Sequence, residues 1–228
     1  PYHGTADAIY RNLHLIERHK PDLVAVFAAD HVYRMDVRQM ARFHRERGAE
    51  VSIAAVRVPI AQASAFGIMA TSPAGELREF QEKPEAPSPI PTDPSRAYAS
   101  MGNYLFNPRV LVELLDEANR HGGTDFGRHI MPLLPRRNCA WAYDFASNEV
   151  PGVRPYEERG YWRDIGTIDA YHAAQRDVLG PSPRFRLANP EWPIRPYRLP
   201  ETAQYAKPKS SLAGLTGKRR FDPFGAHA

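Results

Sequence analysis

Two acids stand where they could hold a cation. Asp30 ends the run Leu23-Val24-Ala25-Val26-Phe27-Ala28-Ala29, with His31 directly after it, and Asp164 ends Tyr161-Trp162-Arg163. Each follows an apolar or aromatic stretch that reads as a strand, so neighbouring strands would turn both carboxylates to one point. Paired carboxylates that leave positions open for water are how Mg²⁺ is held beside phosphates. The alternative is a pair of unrelated turn acids, since Asp is a common turn residue. Glu82-Lys83 is a second candidate, with an ammonium for a phosphate and a carboxylate for sugar hydroxyls, against which stands a solvated surface pair. Trp162, just ahead of Asp164, could stack on a sugar ring or belong to the core.

The elements that must position these residues follow from spacing. The run 23–29 lacks polar alternation, which predicts a strand buried on both faces in a parallel sheet. In open α/β sheets ligands gather beyond the carboxyl ends of strands, where Asp30 would lie. Ala8, Ile9, Leu13, Leu15 and Ile16 share one helical face, predicting a helix over 5–19 with Thr5 as its N-cap. A helix over 37–47 closed by Gly48 and a strand over 51–58 complete a β-α-β unit with a right-handed crossover. Segments 67–70 and 77–80 flank Ser72-Pro73-Ala74-Gly75 and read as a hairpin that ends at Glu82-Lys83-Pro84. An irregular proline-rich loop leads to a strand over 99–106 and a helix opened by Asn107-Pro108. A shorter helix from Thr124-Asp125, a strand over 139–145 and a helix over 167–179 follow.

The chain has 228 residues, enough for a full core, and a net charge of +4. That excess suits an anionic ligand but is too thin for nucleic acid, and no basic stripe carries interleaved aromatics. One cysteine, Cys139, excludes an internal disulfide framework and fits a reducing compartment. The apolar runs fall far short of the roughly 20 residues that span a bilayer, so the expectation is a soluble cytoplasmic protein without a membrane partner. Past Gly180 prolines recur and periodic apolar residues vanish, which divides the chain into a domain over 1–180 and a linker or wrapping tail over 181–228.

Seven motifs occur in one order: Gly4-Thr5-Ala6-Asp7-Ala8, Ala29-Asp30-His31-Val32-Tyr33, Ser64-Ala65-Phe66-Gly67, Phe80-Gln81-Glu82-Lys83-Pro84, Ala99-Ser100-Met101-Gly102, Asp125-Phe126-Gly127 and Tyr161-Trp162-Arg163-Asp164-Ile165-Gly166-Thr167. In this order the chain resembles the bacterial glucose-1-phosphate adenylyltransferases over residues 1–197, and Asn189-Pro190-Glu191-Trp192-Pro193-Ile194-Arg195 is similar to that family's linker. The resemblance implies a Rossmann-like mixed sheet flanked by helices, of the nucleotide-diphospho-sugar transferase type. It implies formation of ADP-glucose and pyrophosphate from ATP and glucose 1-phosphate in glycogen synthesis, with Mg²⁺ as cofactor and a homotetramer as the family's assembly. By the same resemblance Asp30 and Asp164 hold the metal, and with Lys83 they form the catalytic set. Tyr2, Gly67, Glu82, Lys83, Ser100, Tyr104, Asp125, Phe126 and Trp162 are the implied glucose 1-phosphate contacts, with Lys83 on the phosphate.

The chain has Ala29 where the family has glycine and His3 where the family has arginine. It is read as N-terminally truncated, without the family's Gly-rich triphosphate loop and its C-terminal β-helix domain, so little turnover is expected from it alone. A non-catalytic sugar-phosphate-binding subunit or inactive truncation is the alternative from another class. Within enzymes, the alternative is a pyrophosphorylase using UTP or dTTP.

Overall fold

A computed structural model describes residues 2–137 and 139–193, and the sequence expectations for residues beyond 193 lie outside them. In chain order the elements are α1 (Thr5–Tyr10), α2 (Leu13–His19), β1 (Val24–Phe27), β2 (His31–Tyr33), α3 (Val37–Glu46), β3 (Val51–Pro59), β4 (Gly67–Thr71), β5 (Leu77–Glu82), β6 (Arg96–Phe106), α4 (Pro108–Arg120), β7 (Ala140–Asp144), β8 (Trp162–Asp164) and α5 (Ile168–Asp177). A π-helical turn, Phe126–Ile130, follows α4. Six strands form a mixed sheet in the order β5-β4-β6-β3-β7, with β1 also paired to β6. β3 runs along one edge of β6, while β4 and β1 share the other. Among the described pairs only β3 and β7 are parallel. β2 and β8 make a separate antiparallel ribbon.

Alternation along the strands explains the layers. Val51, Ile53 and Ala55 of β3 join a core with Leu111, Leu114 and Leu115 of α4, whereas Ala54 joins Met40 of α3 and Tyr143 of β7. The sheet therefore carries α4 on one face and α3 on the other, as period-2 side chains require. Each of the three α4 leucines is fully buried and contributes about 1.5–3 kcal/mol. No helix among the described residues is long and apolar enough to cross a membrane.

The strand buried on both faces is thus 51–55, not 23–29. β1 is antiparallel to β6 and alternates between half-buried and exposed residues. Val24 and Val26 pack against the same core as Ile9 of α1 and Leu13 and Ile16 of α2, and Phe27 is exposed. The strand-helix-strand order is present, but β6 lies between β1 and β3.

The helix predicted over 5–19 is two helices. At the break, Asn12 Nδ2 donates to the Ala8 carbonyl at 2.8 Å, a side-chain bond that competes with helix continuation. Gly4, not Thr5, holds the N-cap position of α1 and no side chain caps it. The amides of Ala6 and Asp7 instead donate to the Thr124 carbonyl, so the free first-turn donors find their acceptor on another loop. Residues 181–193 pack back on the domain: the Phe185 ring is 2% exposed and stacks on Tyr161 at 4.7 Å.

Candidate active site

The ribbon of β2 and β8 brings the two distant acids together. His31 pairs with Asp164 across the ribbon, and the Ile165 amide donates to the Asp30 carbonyl at 3.2 Å. Ligand atoms of Asp30, His31 and Asp164 all lie within 4.8 Å of one another. The Asp30 side chain is 67% exposed, so water can complete a coordination shell around it. Carboxylate oxygens with open water positions suit a hard dication. Gly166 N donates to Asp164 Oδ1 at 2.8 Å, which orients that carboxylate.

The ribbon is held from behind. Arg163 pairs with Glu158 at 2.6 Å and with Asp177 at the end of α5 at 3.0 Å. Arg34, next to β2, forms a buried pair with Glu157, and its guanidinium lies 4.5 Å from the centre of the Phe185 ring. Burial opposes charge on Glu157, but the amides of Arg154 and Arg186 and the Arg34 guanidinium outweigh it and hold the carboxyl below its usual range. Burial, reinforced by Asp177, pushes the Tyr161 hydroxyl up to about 12.

A second group of predicted residues gathers at the end of the β4–β5 hairpin. Gly67 pairs with Glu82 across the hairpin. A Cβ at Gly127 would stand 2.7 Å from Glu82 Oε2, and one at Gly67 would stand 3.2 Å from the same oxygen. The carboxylate therefore sits where only two glycines leave room. Asp125 accepts from the Arg128 amide at 2.9 Å and opens the π turn, while Thr5 Oγ1 lies 3.4 Å from its other oxygen. The Phe126 ring stacks on Tyr104 at 5.7 Å, and the Tyr104 hydroxyl lies 3.4 Å from Ser100 Oγ. Burial raises the Tyr104 pKa, the Ser100 hydrogen bond works the other way, and the charges of Glu82 and Asp125 add to the rise.

Lys83 adopts φ 48°, one of two left-handed non-glycine residues among those described, and its amide donates to the Phe66 carbonyl. A strand would send Glu82 and Lys83 to opposite faces, and the left-handed turn at Lys83 breaks that alternation.

The two groups are joined by aromatics. The Trp162 ring lies edge-on to Phe66 at 5.9 Å and to His31 at 4.9 Å. It thus bridges the segment bearing Gly67 and Lys83 to the ribbon bearing Asp30 and Asp164. At 9% exposure Trp162 is a core residue as much as a wall of the site. Tyr2 is exposed, its hydroxyl 3.3 Å from Asn12 Nδ2, and among the described residues no hydrogen bond or ring contact ties it to the rest of the group.

Sequence reasoning missed Thr5 and Gly127. The Thr5 hydroxyl accepts from the Phe126 amide at 2.9 Å and pins the π turn, a contact over 121 positions that no local pattern announces. Both residues lie inside motifs that carry the resemblance, which was the available signal.

A family model described as nucleotidyl transferase matches residues 1–180. The glucose-1-phosphate adenylyltransferase of Thermodesulfovibrio yellowstonii is 51% identical over 198 residues, covering 86% of this chain and 48% of that protein. That of Mycobacterium ulcerans is 48% identical over 196 residues, covering 85% of this chain and 48% of its own length. That of Thermus thermophilus is 44% identical over 224 residues, covering 96% of this chain and 51% of its own. The last similarity leaves out fewer residues than lie beyond position 197, so likeness extends past the residues 1–197 over which the sequence motifs carry the resemblance. The chain spans about half the length of the curated relatives it matches.

Proposed function

Because the chain belongs to the nucleotidyl transferase family, we propose that its site serves the reaction of ATP with glucose 1-phosphate to give ADP-glucose and pyrophosphate. A phosphate oxygen of the sugar phosphate attacks the α-phosphorus of ATP, one P–O bond forms, and the bond to the departing pyrophosphate breaks. The observation that carries this reading is the link from the Glu82–Asp125 group through Phe66, Trp162 and His31 to the acidic pair.

Glu82 and Asp125 accept hydrogen bonds from sugar hydroxyls, and their fixed positions orient the sugar ring. Lys83 neutralises the sugar phosphate, which lowers the cost of bringing it to a second anion. Tyr104, Phe126 and Trp162 exclude water from that wall, while Gly67 and Ser100 leave room beside it. Asp30 and Asp164 are the residues for Mg²⁺, which when bound supplies charge neutralisation to the triphosphate. Transfer of this kind rests on alignment and electrostatics, with no covalent nucleophile required. The names of the three relatives support an adenine nucleotide over UTP or dTTP. The reading includes a homotetramer, measurable by light scattering, and a cytoplasmic location, with which the free thiol of Cys139 agrees.

Two measurements test it. Calorimetry with glucose 1-phosphate reads the sugar half without turnover, and pyrophosphate release with ATP, glucose 1-phosphate and Mg²⁺ reads the reaction. Release by this chain alone is expected to be low, and Asp30→Asn and Asp164→Asn to lower it by a further factor of about 100 or more, to background, the scale of several kcal/mol of charge stabilisation. A folded chain with no affinity for glucose 1-phosphate sinks the proposal.

A further inference from the structure

We infer that His31 is a positioning residue for Asp30: its Nε2 lies 3.6 Å from Asp30 Oδ1, and an N–H there limits how that carboxylate can turn. The inference rests on the proposed cation role of the acidic pair and adds a residue to it.

The ring has little freedom. Its side chain is 12% exposed, and it meets the Trp162 ring at 4.9 Å and 67°. Gly102, at φ 70°, also closes on it: a Cβ there would stand 3.2 Å from His31 Cε1 and 3.0 Å from Ala28 Cβ. Glycine suits both the left-handed backbone and the close approach. The backbone is fixed too, since His31 pairs with Asp164 across the ribbon.

With the ring held, the tautomer follows. Nδ1 is buried and has no hydrogen-bond partner among the described residues, whereas Nε2 lies 3.6 Å from Asp30 Oδ1. A proton on Nδ1 would bury an unmade donor and turn the Nε2 lone pair toward an anion. A proton on Nε2 places the donor beside the acceptor. At 3.6 Å the contact is longer than a hydrogen bond, and the soft terminal torsion of the exposed Asp30 carboxylate is the motion that closes it. One oxygen held by Nε2–H leaves the other for a cation that Asp164 shares, the ligand atoms of the three residues lying within 4.8 Å of one another. A cation then meets a carboxylate already turned toward it. Donors that orient a metal ligand are worth about 10- to 100-fold in metal affinity.

Mn²⁺ alone, added to the full chain and followed by electron paramagnetic resonance, is the probe. His31→Phe keeps the ring contact with Trp162 and removes the donor, and His31→Met does the same should the Phe variant not fold. His31→Gln restores an N–H. The expected result is a Kd raised about 10-fold in the apolar variant and within about threefold of wild type for His31→Gln, with thermal midpoints unchanged. Unaltered Mn²⁺ affinity in a folded apolar variant, while Asp30→Asn loses binding, overturns the role of His31 and leaves the acidic pair standing. A directly bonded imidazole nitrogen coupling to Mn²⁺ in the pulsed spectrum also overturns it, because His31 would then be a ligand. Failure of wild type to bind Mn²⁺ overturns the cation role of the pair and this inference with it.

Discussion

Glu82 shows how much a single carboxylate depends on what its neighbours lack. Its Oε2 occupies space that a Cβ at Gly127 would enter at 2.7 Å, with Cδ at 3.2 Å, and Gly127 is outside the left-handed region, so Gly127→Ala meets its steric objection at the Glu82 carboxylate. The variant is expected to fold with an unchanged thermal midpoint and to weaken glucose 1-phosphate binding by at least about 10-fold in calorimetry, given that a displacement near 1 Å can cost about 100-fold. Lys83 presents the converse case, a side chain proposed to meet the sugar phosphate on a strained backbone at φ 48°. Non-glycine residues in that region cost about 1–3 kcal/mol, and Asn tolerates it best. Lys83→Asn should therefore keep the fold, seen as an unchanged melting curve, while losing most of the affinity for the sugar phosphate. The pairing of an acid and a base at 82–83 was legible from residue type. The left-handed backbone at Lys83, which breaks the strand alternation that would send the two side chains to opposite faces, was not.

At the scale of elements, one buried histidine ties three of them together. His44 of α3 faces Ser52 of β3 at 2.9 Å through Nδ1 and Asn107, at the head of α4, at 3.2 Å through Nε2. Asn107 reads in sequence as a helix cap, yet its side chain makes no capping bond and serves this junction instead. Burial lowers the His44 pKa, with the Asn107 contact opposing the shift and Arg45 adding to it. The folded state thus keeps His44 neutral where the unfolded chain would take a proton. Stability is fully present above the unfolded value near 6.5 and is lost as pH falls from there toward the lowered folded value. Chemical denaturation from pH 8 to pH 5 should show the midpoint falling in wild type and falling less in His44→Gln. Most elements were legible from period and turn residues, including the 67–82 hairpin and the helix after Asn107. The break at Asn12 and the antiparallel, half-exposed state of β1 were not, since both depend on what covers them.

For the molecule as a whole, residues 181–193 brace the ribbon that carries the acidic pair. Phe185 fills the gap between Tyr161 and Arg34, and the Arg186 amide donates to Glu157 at 2.9 Å. Phe185→Ala should cost about 3–5 kcal/mol, a drop of roughly 10 °C in the thermal midpoint for a domain of this size. The Tyr161 hydroxyl, raised to about 12 by burial, keeps its proton in the fold after the unfolded chain has lost it near 10. Stability should accordingly decline between pH 10 and 12, an effect that Tyr161→Phe removes from the alkaline denaturation profile. By itself the sequence determined the periods, turns and motif order, hence an α/β sheet flanked by helices and the residue types at its site. These depend on near neighbours along the chain. The tertiary structure alone decided which strand is buried on both faces, that Asp30 and Asp164 meet on a separate ribbon, and that Thr5, Gly102 and Gly127 shape the site. Each of those is a contact between residues far apart in sequence, where chain connectivity sets no distance and only packing does.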